Sequence, residues 1–273
     1  MVSLPSKRTE PLFQKDGQLH EHTSTITFIQ PLLSLPEEIQ ALFKAPADST
    51  PYVMTTASTI FHAQGGGQPS DTGSATPSSG GPTFEVLQVR KVDQPILHMG
   101  VFSSLDSALP ATGQEVHQAI DVPKRLLHSR IHTAGHVIGL AINNLVKDGR
   151  LPSDIVDGKA SHYPGAAFVE FSGLIPGTAK EAIQSKVDEL VAQDLGVKIH
   201  FWSEEKARSD CTGVIDVLKG DEDGVRVVEI GDVGSYPCGG THVVRLKECG
   251  QVVVRGIKRQ KGISKVSYEV QDV

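Results

Sequence analysis

The segments His132-Thr133-Ala134-Gly135-His136 and Cys238-Gly239-Gly240-Thr241-His242 carry the most informative spacing in this 273-residue sequence. Two imidazoles four residues apart on a helix lie on one face and can bind one metal ion. The second segment offers a thiol and an imidazole in a glycine-rich run that does not suit a helix interior. Three nitrogens and one sulfur suit zinc. Together the segments predict a zinc site with the ligands His132, His136, Cys238 and His242.

An amphipathic helix is predicted around the histidine pair. Asp121 and Pro123 are start signals, and Asp148-Gly149 is a stop signal. Apolar residues recur between them at steps of three and four: Leu127, Ile131, Ala134, Ile138, Ala141 and Leu145. The histidine pair alone also fits an ordinary helix with two satisfied histidines. The second pair favours the metal site because each pair supplies ligand types that the other lacks.

Composition excludes several classes of protein. A net charge of −6 argues against non-specific wrapping of nucleic acid, although a local basic patch is compatible with it. Three cysteines do not make a disulfide framework, so a reducing compartment is expected. No apolar run is long enough to span a bilayer, and the N-terminal region lacks the apolar core of a signal peptide. We therefore expect a cytoplasmic protein with no membrane association and no evident stable protein partner.

The pattern of short strands and helices predicts an α+β protein of two domains. Residues 1–121 contain several short β-branched runs separated by turn residues, which is typical of a small antiparallel β-barrel. Residues 74–82, rich in serine, glycine and proline, are interpreted as an exposed connection between strands. Residues 122–273 alternate helical and strand patterns, which predicts helices packed on an antiparallel sheet.

Two further features bear on ligand binding. The glycine-rich run from Phe61 to Gly73 contains three successive glycines, where backbone amides can approach a ligand closely or turn sharply. A flexible hairpin loop is an equally good interpretation, and a phosphate-binding Walker loop is excluded because no Gly-Lys-Ser/Thr follows. A basic strip is the second feature, and a solvated sheet face explains it equally well. Its members are Arg255, Lys258, Arg259, Lys261 and Lys265.

The combination of these motifs resembles a known family. The glycine-rich run, the segment from Arg130 to His136 and the run from Asp232 to Val243 look like those of the alanyl-tRNA editing proteins, the AlaX family. The editing region of alanyl-tRNA synthetase has the same pattern. The similarity extends in order over about residues 23–273, and the chain resembles the medium-sized form, in which a barrel precedes the editing domain. It departs from the family pattern at His62-Ala63 and at Gly135.

The resemblance implies a function and a set of site residues. The chain would be a trans-acting aminoacyl-tRNA hydrolase that removes serine or glycine from tRNA(Ala). The four predicted ligands would hold Zn²⁺, Gln68 and Thr59 would act on the substrate, and Thr59 would contact the serine hydroxyl. Gly65, Gly66 and Gly67 would line the pocket, and Arg130 would approach the acceptor end of the tRNA.

Three alternatives remain open from the sequence alone. The related domain of threonyl-tRNA synthetase shares both metal-binding pairs, so editing of Ser-tRNA(Thr) is the nearest. A non-catalytic RNA-binding protein with a structural zinc would unfold on chelation and hydrolyse no ester. A zinc hydrolase for a small ester or amide would act without tRNA, and the basic strip disfavours it.

Overall fold

The computed structural model describes Leu4, residues 6–212, Gly220 and residues 222–272. The chain divides into two compact units. The first comprises Met1–Gly65 and Pro69–Arg125, and the second comprises Gly66–Gln68 and Leu126–Val273. The tripeptide Gly66–Gln68 therefore belongs with the second unit although the barrel sequence surrounds it.

The secondary structure of the first unit is dominated by strands. The short helices are α1 (Leu12–Lys15) and α2 (Glu37–Gln40). The strands are β1 (Glu10–Pro11), β2 (Glu21–Pro31), β3 (Tyr52–Thr56), β4 (Ser58–Thr59), β5 (Gly73–Pro77), β6 (Phe84–Lys91), β7 (Ile96–Phe102) and β8 (Glu115–Ile120). Six of them close an antiparallel barrel in the order β2-β3-β7-β6-β5-β8, which confirms the predicted fold class of this part.

One part of the strand prediction was wrong. Residues 74–77 of the predicted 74–82 connection are not exposed loop; with Gly73 they form the barrel strand β5, which pairs with β6 and with β8. Ala75 and Pro77 are buried while Thr76 between them is exposed, so this segment alternates as a half-buried strand should. Its small side chains gave no hydrophobic signal, and the sequence therefore looked like a loop.

A buried ion pair ties the glycine-rich segment to the rest of the first unit. The side chains of Arg125 and Asp71 are only 2% and 1% exposed, and the guanidinium donates to both carboxylate oxygens. Arg125 also donates to the carbonyls of Gly17 and Ile60, and the amide of His62 donates to Asp71. The counter-charge and the hydrogen-bond acceptors that the buried Arg125 guanidinium needs therefore all come from the first unit.

The second unit combines helices with two antiparallel sheets. Its helices are α3 (Val122–Lys147, which begins in the first unit), α4 (Lys180–Ala192) and α5 (Glu204–Asp210). Its strands are β9 (Val156–Ser161), β10 (Phe168–Ser172), β11 (Val197–Trp202), β12 (Val225–Ile230), β13 (Gly234–Pro237), β14 (Gln251–Gln260) and β15 (Ile263–Gln271). The sheet orders are β14-β15-β10-β9 and β11-β12-β13. Helices on antiparallel sheets are the architecture that the sequence predicts.

Helix α3 occupies the centre of this unit because its apolar stripe is long. Ile131, Ala134, Ile138, Ala141 and Leu145 are all buried and join one core cluster with residues of α4 and the four-stranded sheet. Burying such side chains contributes roughly 1.5–3 kcal/mol for each large one. The helix is thereby fixed against the core, and the residues at the edge of its stripe are held in place. In the described part of the chain no helix is long and apolar enough to span a membrane.

Candidate metal centre

Four metal-ligating side chains meet in the second unit: His132, His136, Cys238 and His242. Their donor atoms all lie within 4.8 Å of one another. Cys238 Sγ is 3.3 Å from His132 Nε2 and 3.4 Å from His242 Nε2. Helix α3 carries the first two residues, and the loop after β13 carries the other two. The two segments that the sequence singled out therefore converge.

The distances fit the donor set of a tetrahedral zinc ion. Zn–S bonds of about 2.3 Å and Zn–N bonds of about 2.0 to 2.1 Å at tetrahedral angles place sulfur and nitrogen about 3.6 Å apart. The two sulfur–nitrogen distances in the structure, 3.3 and 3.4 Å, are close to that edge length. Three imidazoles and one thiol are also the ligand types that select zinc over harder cations.

Gln68 fixes the orientation of His132. Its Oε1 lies 2.7 Å from His132 Nδ1 and also accepts a hydrogen bond from the amide of Thr241. An amide oxygen can only accept, so His132 Nδ1 carries the proton and its Nε2 presents a lone pair toward Cys238. Gln68 Nε2 donates to the Thr241 hydroxyl, which also contacts Ser129. Gln68 thus links the histidine helix to the cysteine loop.

The other side of the centre is held in a similar way. His242 Nδ1 lies 3.1 Å from the hydroxyl of Thr133 on helix α3, and the amide of Val243 donates to the same hydroxyl. His242 Nε2 is then directed toward Cys238. Contacts of this kind orient ligating histidines before a metal arrives, which reduces the entropy lost on binding.

Gly240 allows the cysteine loop to pack closely against the ring of His132. A Cβ on Gly240 would lie 2.2 Å from His132 Cε1 and 2.3 Å from His132 Nδ1. No side chain fits there unless His132 moves. The glycine is therefore required because the backbone of the cysteine loop passes directly against the first imidazole.

Electrostatics and burial favour uncharged imidazoles here. Burial, together with the nearby His162 and Arg226, lowers the pKa of His136 to about 3. Burial raises the pKa of the Cys238 thiol, while Arg226 and the amide of Gly240 act in the opposite direction. Arg226 also donates to the Cys238 carbonyl. A divalent cation would deprotonate the thiol on binding, so a neutral histidine set with one thiolate is the expected liganded state.

Two of the three successive glycines, Gly66 and Gly67, have a structural role in the same unit. Gly66 and Gly67 have positive φ angles of 54° and 77°. A Cβ on Gly67 would lie 2.4 Å from the carbonyl oxygen of Ala160, and the amide of His162 donates to the Gly67 carbonyl. This turn places Gln68 beside His132. Gly65 falls in the first unit and is exposed. That these glycines also line a substrate pocket stays a prediction.

Thr59 is engaged inside the first unit. Its hydroxyl lies 2.8 Å from His98 Nε2 and accepts from the amide of Phe61. His98 Nδ1 faces the carbonyl of Met54 and must donate to it, so Thr59 donates to His98 Nε2. Burial lowers the pKa of His98 to about 4, in keeping with this neutral form. The contact of Thr59 with a serine hydroxyl stays a prediction.

Arg130 is tied to the C-terminal strand. Its guanidinium donates to the carbonyls of Cys249 and Gln271 and pairs with the carboxylate of Asp272. These contacts fasten helix α3 to the end of β15. They occupy most of its donors, so a role at the acceptor end of a tRNA stays a prediction.

Sequence reasoning missed a group of side chains beside the centre. The ring of His162 stacks on His132 with centroids 4.0 Å apart, and its Nδ1 lies 2.6 Å from the hydroxyl of Tyr268. Tyr268 donates to the carbonyl of Ile131, so His162 Nδ1 donates to Tyr268. Asp157 and Tyr236 are further members of this group, which borders a cavity of about 110 Å³.

A signal for this group was present in helix α3. Gly135 and Gly139 lie four residues apart on one face, and each glycine costs about 1 kcal/mol in a helix interior relative to alanine. A Cβ at Gly135 would lie 2.5 Å from His162 Cε1, and one at Gly139 would lie 2.9 Å from the Tyr236 hydroxyl. Two glycines at helical spacing indicated that something packs closely on that face.

We expect Gln68→Leu to weaken metal binding by about 10- to 100-fold, the usual effect of removing a residue that orients a ligating histidine. Leucine has a similar size but cannot fix the tautomer of His132 or bind Thr241. Competition with a chelator of known affinity measures the change. Gln64→Leu, at an exposed position four residues earlier, is the matched control and should leave the affinity unchanged. Equal affinities for both variants would contradict this role of Gln68.

Comparisons with known proteins agree with this fold and site. Residues 225–267 match the family described as the threonyl and alanyl tRNA synthetase second additional domain. The chain is 33% identical over 208 residues to the alanyl-tRNA editing protein AlaX-M of Methanosarcina barkeri, covering 73% of this chain and 79% of that protein. It is 28% identical to AlaX-L of Pyrococcus horikoshii over 77% of this chain and 49% of that protein.

The alanine–tRNA ligase of Streptomyces avermitilis is also similar, at 31% identity over 72% of this chain and 22% of the ligase. The matched domain and the three-histidine, one-cysteine centre define an aminoacyl-tRNA editing class of hydrolase, as predicted. Within that class, the chain belongs to the family of alanyl-tRNA editing proteins.

Proposed function

We propose that this protein is a trans-acting, zinc-dependent deacylase that hydrolyses Ser-tRNA(Ala), and also Gly-tRNA(Ala). The single observation that carries the proposal is the four-donor centre, whose His132, His136, Cys238 and His242 atoms lie within 4.8 Å of one another. Its relatives are named as alanyl-tRNA editing proteins and alanine–tRNA ligases. A separate editing protein acts after the aminoacyl-tRNA has left the synthetase.

The physics of recognition explains the need for such an enzyme. A pocket shaped for alanine gains only about 1–3 kcal/mol of discrimination from one small group, so serine and glycine are charged at a low frequency. A second site that binds groups absent from alanine can remove the errors. Polar atoms that remain unpaired with the wrong substrate provide much stronger selection than size does.

The residues of the centre have two different roles: some would bind the metal, and others position the ligating histidines. Bound zinc would supply Lewis acidity toward the ester carbonyl or toward water if its shell expanded to five ligands, and would otherwise hold the pocket in shape. Gln68 and Thr133 hold His132 and His242 in their ligating orientation, so these two contribute by positioning. Four protein donors leave no vacant position in a tetrahedral shell. The substrate must therefore bind beside the centre, and the chain must place the ester there with its own groups.

A basic groove in the second unit supports an RNA substrate. Arg255, Lys258 and Lys265 line a groove of about 350 Å³, and Lys258 pairs directly opposite Lys265 on the β14–β15 hairpin. The ammonium group of Lys265 lies over the ring of Phe168. Arg255 and Lys258 are exposed and Lys265 is half-buried. Cations beside an aromatic ring suit a phosphate backbone with an unpaired base. Part of the strip is neutralised, because Arg255 pairs with Glu269.

The experiment is a deacylation assay with four substrates: Ser-tRNA(Ala), Gly-tRNA(Ala), Ala-tRNA(Ala) and Ser-tRNA(Thr). We expect rapid hydrolysis of the first, hydrolysis of the second and sparing of the third. Equal hydrolysis of Ala-tRNA(Ala) would contradict an editing role. Preference for Ser-tRNA(Thr) would favour the threonine system, which the description of the matched family also includes. Binding of tRNA without any hydrolysis would indicate a non-catalytic RNA-binding protein.

A further inference from the structure

The cavity beside the metal centre contains a carboxylate oxygen that no group in the described chain satisfies. Asp157 Oδ1 is buried and has no hydrogen-bond partner. Among the described residues, the other carboxylate oxygen accepts a hydrogen bond from the side-chain amide of Asn143 alone, at 3.0 Å. Among the residues that the structure describes, no lysine or arginine forms an ion pair with Asp157. A buried carboxylate without a cation is costly, and such a group commonly marks a ligand site.

The cavity itself is shaped for a small polar group. Its volume of about 110 Å³ exceeds the space of a single water molecule, for which about 10–15 Å³ suffices on the same kind of measure. Asp157, Tyr236, His162 and the metal ligand His136 line it. The glycine at position 139 keeps it open, because a Cβ there would lie 2.9 Å from the Tyr236 hydroxyl and 3.7 Å from Asp157 Oδ1.

We propose that Asp157 binds the α-ammonium group of the aminoacyl ester in this cavity and thereby places the ester beside His136. The inference rests on the proposed function and identifies the part of the substrate that the chain itself recognises. An ammonium group supplies both the missing hydrogen-bond donor and the missing positive charge. The hydroxyl of serine supplies a donor alone and would leave the carboxylate charge uncompensated.

The state of Asp157 without a ligand agrees with this assignment. Burial raises the pKa of its carboxyl group, and the hydrogen bond from Asn143 opposes that rise. The site is thus electrostatically unsatisfied until a cation enters. Because every aminoacyl ester carries the α-ammonium group, Asp157 anchors and orients the substrate, and the choice between serine and alanine is made by other contacts.

The test compares wild type with Asp157→Asn, which keeps the size of the side chain and removes its charge. We expect kcat/KM to fall about 100-fold on both Ser-tRNA(Ala) and Gly-tRNA(Ala), a typical loss when one partner of a buried charged pair is removed. Metal content should stay unchanged. Asp154→Asn is the matched control, since Asp154 is exposed and lies just before the same strand. It should behave as wild type.

A substrate without the amino group isolates the interaction. Nitrous acid converts Ser-tRNA(Ala) to its α-hydroxy counterpart, which has no ammonium. Wild type should hydrolyse this ester as poorly as Asp157→Asn does, so the two changes should not be additive. An additive loss, or a loss with Ser-tRNA(Ala) alone, would overturn the assignment of the ammonium group.

A second variant and two further outcomes separate failure of this inference from failure of the proposed function. Gly139→Ala narrows the cavity but keeps the carboxylate and its charge, and it should raise KM while leaving metal content unchanged. Wild-type activity in Asp157→Asn would refute this inference and leave the proposed function intact. Failure of the unaltered protein to hydrolyse any mischarged tRNA would refute the proposed function, and this inference with it.

Discussion

Replacing Cys238 by alanine should remove metal and ester hydrolysis together. The thiol is the only sulfur donor in the cluster and lies within 3.4 Å of two imidazole nitrogens. A zinc site of this kind binds with about 10–16 kcal/mol, so one ligand in four accounts for about 3 kcal/mol, or about 100-fold in affinity. Metal analysis of the purified protein and kcat/KM on Ser-tRNA(Ala) measure the two effects.

The chain offers a matched control for this substitution. Cys211 is a free, half-buried cysteine in the same unit and is not among the residues of the cluster. Cys211→Ala should keep both metal and activity. If Cys238→Ala lost the metal but retained full hydrolysis, zinc would be structural only. If it retained both, the four-ligand centre would be refuted.

Replacing Asp71 by alanine should destabilise the first unit by about 3–5 kcal/mol, because it leaves the Arg125 guanidinium buried without its counter-charge. That loss is comparable with much of the total stability of an ordinary domain. Arg125→Met should be similarly harmful, since the carbonyls of Gly17 and Ile60 lose their donor as well. Urea unfolding of the full chain, followed by hydrogen exchange of barrel amides, gives the free energy of the unit concerned.

A surface ion pair in the same unit supplies the control. Lys15 and Glu10 are about half exposed, at 46% and 51%, and such a pair contributes at most about 1 kcal/mol. Glu10→Ala should therefore lower the free energy of unfolding of the first unit by about 1 kcal/mol at most. An equally small effect of Asp71→Ala would show that water reaches the Arg125 site and that the pair is not truly buried.

The glycine-rich motif has two separate roles, one in orienting His132 and one in neutralising Arg125. Gly66, Gly67 and Gln68 belong to the second unit and orient His132. Asp71, only three residues later, neutralises Arg125 in the first unit. A sequence motif of this length looks like one ligand-binding loop, but the structure gives its members different tasks.

The predictable parts of the fold are those with strong hydrophobic periodicity. Helix α3 was foreseen because its apolar stripe runs without interruption to Leu145, and its core contacts follow from that stripe. Strand β5 was missed because Ser74, Ala75 and Thr76 have little hydrophobic contrast. In that strand, pairing with β6 and β8 decides the conformation, and the local sequence does not.

The site was predictable where spacing alone defines it. Pairs of potential ligands four residues apart predicted which four side chains converge, since helix geometry relates the members of the first pair. Asp157 and His162 belong to β9 and the loop after it, and no spacing rule connects them with helix α3. Only the packing of β9 near Gly135 and Gly139 brings them to the cavity. Their roles therefore had to come from three-dimensional contacts.

X-ray absorption at the zinc edge of the purified protein directly measures whether His132, His136, Cys238 and His242 bind one zinc ion. We expect one zinc ion per chain, bound by one sulfur at about 2.3 Å and three nitrogens at about 2.0 to 2.1 Å. The same shell should persist in Cys211→Ala, whereas Cys238→Ala should retain too little zinc to give this spectrum. A shell of oxygen ligands without sulfur, or a protein that binds no zinc at all, would contradict the four-ligand zinc centre.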